Sequence, residues 1–262
     1  MNDVCAITCT ALLLLAALPA PASAQNVRSH DTDLREGIGS ATTIEIRDVS
    51  GSITVTQAAD ATVTVHAHAT SRTSDPSAVT VQLRHDGDSL VICTRYPGSS
   101  DCGDHHPDSN NDGNDVNVDI AVTVPLDARV VANTVEGNVS ATQLRNDVRA
   151  GVVRGNIRIG TSGHANAKTV NGSIDAILSE SANVDGVQLE TVNGSIHLTV
   201  PQSVNASIYA RTLSGSLIAD PGVTFSQRDN GIVGSSGTIT LGRGGGRISL
   251  RTLSGSIRVS RA

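Results

Sequence analysis

Aromatic side chains are almost missing from this 262-residue chain, which has two tyrosines, one phenylalanine and no tryptophan. Helical cores of this size are normally filled with rings, so the alternative is a core of stacked Val, Ile, Leu, Ala and Gly. Sustained 3.6-residue periodicity is absent, which excludes a helical fold. Lysine is scarce too, Lys168 alone against 18 arginines, and the net charge of −6 excludes nucleic-acid binding by bulk charge. Beyond residue 24 no apolar run is long enough to span a membrane. Four cysteines are present, and only Cys93 and Cys102 lie past the first ten residues.

What the chain does have is a recurring phrase. It reads Val49-Ser50-Gly51-Ser52-Ile53, Val135-Glu136-Gly137-Asn138-Val139 and Val153-Arg154-Gly155-Asn156-Ile157. It returns as Val170-Asn171-Gly172-Ser173-Ile174, Val192-Asn193-Gly194-Ser195-Ile196, Leu213-Ser214-Gly215-Ser216-Leu217 and Leu253-Ser254-Gly255-Ser256-Ile257, with a degenerate copy at Ser236–Ile239. Successive glycines from 137 to 255 are 17 to 22 residues apart. A short, nearly fixed period of strand-forming residues predicts stacked coils. The expected fold is therefore all-β: a parallel β-solenoid of 17–22-residue coils, preceded by a mostly antiparallel region.

Within each repeat the inward parity switches between adjacent residues, at Thr169-Val170, Thr191-Val192, Thr212-Leu213 and Thr252-Leu253. Side chains alternate faces along a strand, so this switch predicts a corner there, with the glycine at an inward position where the chain bends closely over the core. The last phrase runs to Ala262, which makes the final coil an open end guarded by Arg258 and Arg261.

Residues 1–24 read as a secretory signal, an apolar run from Ala11 to Leu18 followed by the small-residue site Ala22-Ser23-Ala24. Residues 25–43 form a polar lead without periodicity, and 44–262 a single domain. Residues 44–96 carry alternating strands, including a hairpin at Asp86-Gly87; 97–115 are an Asp/Asn-rich loop; 116–262 hold the repeat coils.

The stretch Val116-Asn117-Val118-Asp119-Ile120-Ala121-Val122-Thr123-Val124-Pro125, followed by repeated Thr-Val-Asn-Gly-Ser-Ile, resembles the bacterial family labelled "putative adhesin". The resemblance covers roughly residues 42–262. It implies an exported all-β domain with a parallel β-solenoid, and it brings no catalytic residues with it.

Several clusters invite chemistry. Asp108, Asn110, Asp112 and Asn114, with Asp119 closing, follow the Asp-x-Asn-x-Asp-Gly pattern of hard oxygen donors around a turn glycine, which suits Ca²⁺. Asp119 stands where a bidentate Glu is usual, and strands rather than helices flank the loop. In an exported chain Cys93 and Cys102 are expected to form a disulfide; with His105 and His106 they match no common zinc spacing. His66 and His68 share one strand face, where polar alternation accounts for them. Gly242-Arg243-Gly244-Gly245-Gly246-Arg247 lacks the Lys-Ser/Thr of a phosphate loop and reads as a coil corner. Outward carboxylates such as Asp175, Asp185 and Glu190 are scattered, so no acid/base pair stands out.

These observations point to an exported, non-catalytic binding or scaffolding protein of the bacterial envelope, periplasmic or at the cell surface, with no cofactor and calcium as the one candidate ion. Its partner would be an envelope glycan or an envelope protein. Outward ladders of Ser173, Ser195 and Ser216, and of Arg251 and Arg258, are the expected working surface. The alternatives are a polysaccharide-active enzyme on the same scaffold and a calcium-stabilised structural module.

Overall fold

The computed structural model describes residues 27–39, 41–98, 113–126, 128–180, 182–220, 223, 225–227 and 234–262. The expected signal segment, 1–24, lies outside them. The described chain is all-β, with two large mixed sheets and, as its one helical element, the 3-10 turn Pro76–Ala78. No helix among the described residues is long and apolar enough to cross a membrane.

In chain order the strands are β1 (Arg28–Gly37), β2 (Thr43–Ser50), β3 (Ile53–Gln57), β4 (Thr62–Ser71), β5 (Thr80–Asp86), β6 (Ser89–Arg95) and β7 (Asn117–Val124). There follow β8 (Arg129–Glu136), β9 (Val139–Leu144), β10 (Val148–Arg154), β11 (Ile157–Thr161), β12 (Ala165–Asn171), β13 (Ile174–Leu178), β14 (Val187–Asn193) and β15 (Ile196–Val200). The last are β16 (Ala206–Ser214), β17 (Leu217–Ala219), β18 (Phe225–Gln227), β19 (Ser235–Leu241), β20 (Gly246–Ser254) and β21 (Ile257–Arg261).

One sheet has the order β1-β4-β7-β3-β9-β11-β13-β15-β21-β17, and the other β18-β19-β16-β20-β14-β12-β10-β8-β2-β6-β5. From β8 to β15 successive strands alternate between the sheets, and each pair lies parallel and in register on the pair before it. The register explains the core. Ile53, Val139, Ile157, Ile174, Ile196, Ile257 and Leu217 form one column. In the facing sheet Ile46, Ala132, Ala150, Ala167, Leu189, Leu250 and Ala210 form another. Small residues in one sheet let aliphatic ones in the other fill the gap, which is why rings are not needed.

Both ends depart from chain order. At the C-terminal end β20/β21 lies between β14/β15 and β16/β17, bonded in parallel on both sides. The expectation of an open final coil guarded by Arg258 and Arg261 is therefore overturned, since that coil is internal. The outer edge is instead β17 in one sheet and the antiparallel strands β19 and β18 in the other. The degenerate copy at Ser236–Ile239 belongs to β19 and makes no corner. The glycine-rich stretch at 242–246 carries the chain from one side of β16 to the other.

At the N-terminal end β2/β3 lies between β6/β7 and β8/β9, with parallel pairing to both. The expected antiparallel region is thus only partly so: β1 with β4, β4 with β7 and β5 with β6 are antiparallel, and β2 and β3 already belong to the parallel stack. The hairpin at Asp86-Gly87 forms as expected, with Gly87 at φ 58°. The polar lead supplies β1, an exposed edge strand whose charged residues discourage edge-to-edge pairing.

Candidate binding surface

Each position of the repeated phrase has one job at the corner between the sheets. The threonine before the phrase points inward and is buried, and its hydroxyl donates to the glycine carbonyl of the neighbouring coil. Thr169 donates to Gly155 (3.1 Å), Thr191 to Gly172 (2.8 Å), Thr252 to Gly194 (2.9 Å) and Thr212 to Gly255 (2.8 Å). The Val or Leu that follows points outward. The corner is therefore not at Thr-Val, as the parity suggested, but at the Asn-Gly-Ser that comes next. The glycines are partly exposed and stack carbonyl to Cα: a Cβ on Gly172 would lie 1.9 Å from the Gly155 carbonyl oxygen, and one on Gly194 2.0 Å from that of Gly172. The Ser or Asn after the glycine accepts from the backbone N–H of the next coil. Asn156 accepts from Ser173 (2.8 Å), Ser173 from Ser195 (3.2 Å) and Ser195 from Ser256 (3.2 Å). The serine ladder expected to be a working surface is thus engaged in holding the corner together.

Two calcium candidates fall in this frame. Asp119 heads the same column, its Oδ1 accepting from the Ser52 N–H at 2.8 Å, and Asn114 accepts from the Val116 N–H at 3.0 Å. Asp108, Asn110 and Asp112 lie outside the described residues. Between the two candidates, Asp115 accepts from the Ser71 hydroxyl and from the backbone N–H groups of Arg72, Thr73 and Ser74, chiefly the first, which holds its carboxyl well below the ordinary range. Cys93 is buried on β6, while Cys102 lies outside the described residues. His66 and His68 face β1, where they pair with Asp33 (2.8 Å) and Asp31 (2.5 Å). The Asp33 contact raises the pKa of His66.

The threonine column has two exceptions, the apolar Val152 and the charged Asp48. Asp48 stands in register with Thr134 and is fully buried. One carboxylate oxygen accepts from the Thr94 hydroxyl at 2.8 Å, and the other has no hydrogen-bond partner. Burial pushes this carboxyl up to about 7. A raised carboxylate pKa means that the native state holds a proton the unfolded chain releases near pH 4. Asp48 therefore favours folding most below pH 4, and that contribution falls by roughly 1.4 kcal/mol per pH unit up to about 7. Asp48→Asn keeps an acceptor for Thr94 and removes the charge. It is expected to raise the melting temperature at pH 8 and to flatten the stability profile between pH 4 and 7; an unchanged profile would refute the assignment.

The outward Val and Leu residues remain without a structural task. Val153, Val170, Val192, Leu253 and Leu213 are 36 to 52% exposed and fall one per coil in a single row. Two residues before each lies a polar row, in which Lys168 pairs with Glu190 at 3.1 Å and Arg251 with the same carboxylate at 3.7 Å. Gly151 continues this row without a side chain. Between the rows runs an open groove of about 670 Å³, lined by Asn133, Gly151, Lys168, Glu190 and Arg251 on one side and Val153, Val170, Val192 and Leu253 on the other. Its one carboxylate among the described residues, Glu190, is clamped between two cations.

A solved structure has this architecture. The chain is similar to a "putative cell adhesion protein" from Clostridium sporogenes, with a TM-score of 0.51 and 9% identity over 90% of this chain and all of that one. Lower similarity extends to a "putative adhesin" from Bacteroides fragilis (TM-score 0.30, 10% identity, 91% of this chain and 98% of that one). Another from Parabacteroides distasonis has a TM-score of 0.29 at 9% identity, over 89% of this chain and 97% of that one. No protein-family model and no curated protein matches the sequence. The first of these comparisons shows a shared all-β fold.

The groove was hidden from sequence reading by the parity assignment, which put Val170 and Val192 inside. Counting alternation through the threonine instead puts them outside. Aligning the repeats two residues before the Val then collects Lys168, Glu190 and Arg251.

Proposed function

We propose that this chain is an exported, non-catalytic binding or scaffolding protein of the bacterial envelope, a β-solenoid of the "putative adhesin" kind. The observation that carries the reading is the outward apolar row, one residue per coil, beside the ion cluster of Lys168, Glu190 and Arg251. Strands in a sheet are about 4.8 Å apart, so a chain lying along the stack meets an outward apolar side chain at every rung. That suits an extended, repetitive partner, and an envelope glycan is the first choice. The alternative of catalysis is less well supported, because acid/base work on a glycosidic bond needs two carboxylates and the described residues of the groove offer Glu190 alone.

The test is binding of the mature domain to a panel of envelope glycans, with product release assayed in the same samples. Saturable binding without turnover is expected. The double variant Val170→Lys/Val192→Lys, altered only at exposed positions, should abolish it while leaving melting unchanged. Turnover, or binding indifferent to the variant, would overturn the reading. Running the panel and the melts with calcium and with chelator covers the Asp108–Asp119 loop, where calcium-dependent melting would support the structural-module alternative.

A further inference from the structure

Five outward cations on the two sheets are answered by a carboxylate on a neighbouring coil. Arg154 meets Glu136 at 3.3 Å, Arg158 meets Asp175 at 2.9 Å, Lys168 and Arg251 share Glu190, and Arg258 meets Asp220 at 3.8 Å. Arg129, Arg145 and Arg149 break this pattern. Arg129 opens β8, Arg149 lies on β10, and Arg145 lies in the turn between β9 and β10, so register brings all three to one edge of the stack. All three are exposed, and no carboxylate of the described residues pairs with them. They line two depressions of about 340 and 380 Å³ that share Thr43, Arg129 and Asp147.

We infer that this arginine cluster is an oxyanion-binding site for an acidic polysaccharide, separate from the groove. Among the described residues, the charged and titratable groups facing the two depressions are Arg129, Arg145, Arg149, Asp147 and His164. Asp147 is committed in part, one oxygen accepting from the His164 backbone N–H at 2.8 Å. Among the described residues three guanidinium groups face one carboxylate there, a local excess of positive charge on a chain whose net charge is −6. Guanidinium groups bind carboxylate and sulfate with paired, charge-assisted hydrogen bonds. Thr42, Thr43 and Asn166 add hydroxyl and amide groups for the sugar, and Leu126 is the one large exposed apolar residue in the lining. That lining suits a polyhydroxylated chain better than a lipid surface.

The experiment titrates heparin-derived and polygalacturonate oligosaccharides onto the mature domain, with dextran as the neutral control and anionic lipid vesicles as a further arm. The acidic oligosaccharides should bind, more weakly as salt rises, and dextran should not bind at this site. Arg129→Gln/Arg145→Gln/Arg149→Gln is expected to lower affinity at least about tenfold, since three charge-assisted contacts are lost together. The groove variant Val170→Lys/Val192→Lys should keep this affinity, which separates failure here from failure of the groove reading. Should the triple variant melt lower, Arg149→Gln alone, at an exposed strand position, must still weaken binding. No binding of acidic oligosaccharides, equal binding by wild type and variants, or binding confined to the vesicles would overturn the inference.

Discussion

A chain ending at Gly245 is expected to lose the order of everything after β15. Residues 246–262 fill the space between β14/β15 and β16/β17, and they bury Ile248, Leu250, Ile257 and Val259 there. Each such side chain contributes roughly 1.5–3 kcal/mol when fully buried, so the four together rival the whole net stability of an ordinary domain. The backbone groups of four strands lose their partners at the same time. Amide exchange reads the result. In the full chain the β16 amides should be among the slowest to exchange; in the truncated chain they should exchange as if unfolded. Adding a peptide of residues 246–262 should restore protection. If β16 stays protected without the peptide, it has closed directly onto β14, and the interleaved order is not needed for the fold.

Gly172→Ala is expected to cost at least about 3 kcal/mol, the range reached only when a side chain is forced against backbone or core. Gly172 has no positive φ, so the substitution isolates the close approach of its neighbour's carbonyl, 1.9 Å from the added carbon. That oxygen belongs to a hydrogen-bonded rung and cannot retreat without opening the coil behind it. Gly160→Ala is the control: on β11 the added carbon meets nothing closer than 3.5 Å, and the change should be near neutral. At roughly 2–4 °C per kcal/mol for a domain of this size, thermal melts resolve the two. Equal melting temperatures would show that the glycine column is not under steric constraint.

Much of the architecture is legible in the sequence, because period and alternation report on backbone geometry. The Thr-Val-Asn-Gly-Ser-Ile phrases mark the corners, and Ile174, Ile196 and Ile257 read as inward and are inward. What the pattern does not encode is the order of the rungs. The phrase around Gly255 is interchangeable with that around Gly215 in every local respect, so nothing nearby says that the later coil lies inside the earlier one. The inward expectation for Val170 and Val192 fails for a related reason: an apolar residue near a glycine satisfies either parity. The neighbouring threonine decides, because only an inward Thr finds the carbonyl its hydroxyl needs. The arginine cluster is legible only in retrospect, since Arg129, Arg145 and Arg149 meet through register rather than through spacing.

The in-register stack has a consequence for length. The braided order occurs at the two ends, whereas β8 to β15 run in simple succession, each rung laid parallel on the one before. An additional copy of residues 148–164, the 17 residues that separate Val148 from its register partner Ala165, could enter there and find matching backbone partners and apolar neighbours above and below. It would lengthen the molecule by about 4.8 Å and leave both ends unchanged. The interior is thus the one place where the gene can grow or shrink by whole coils, and the reach of the groove would scale with their number.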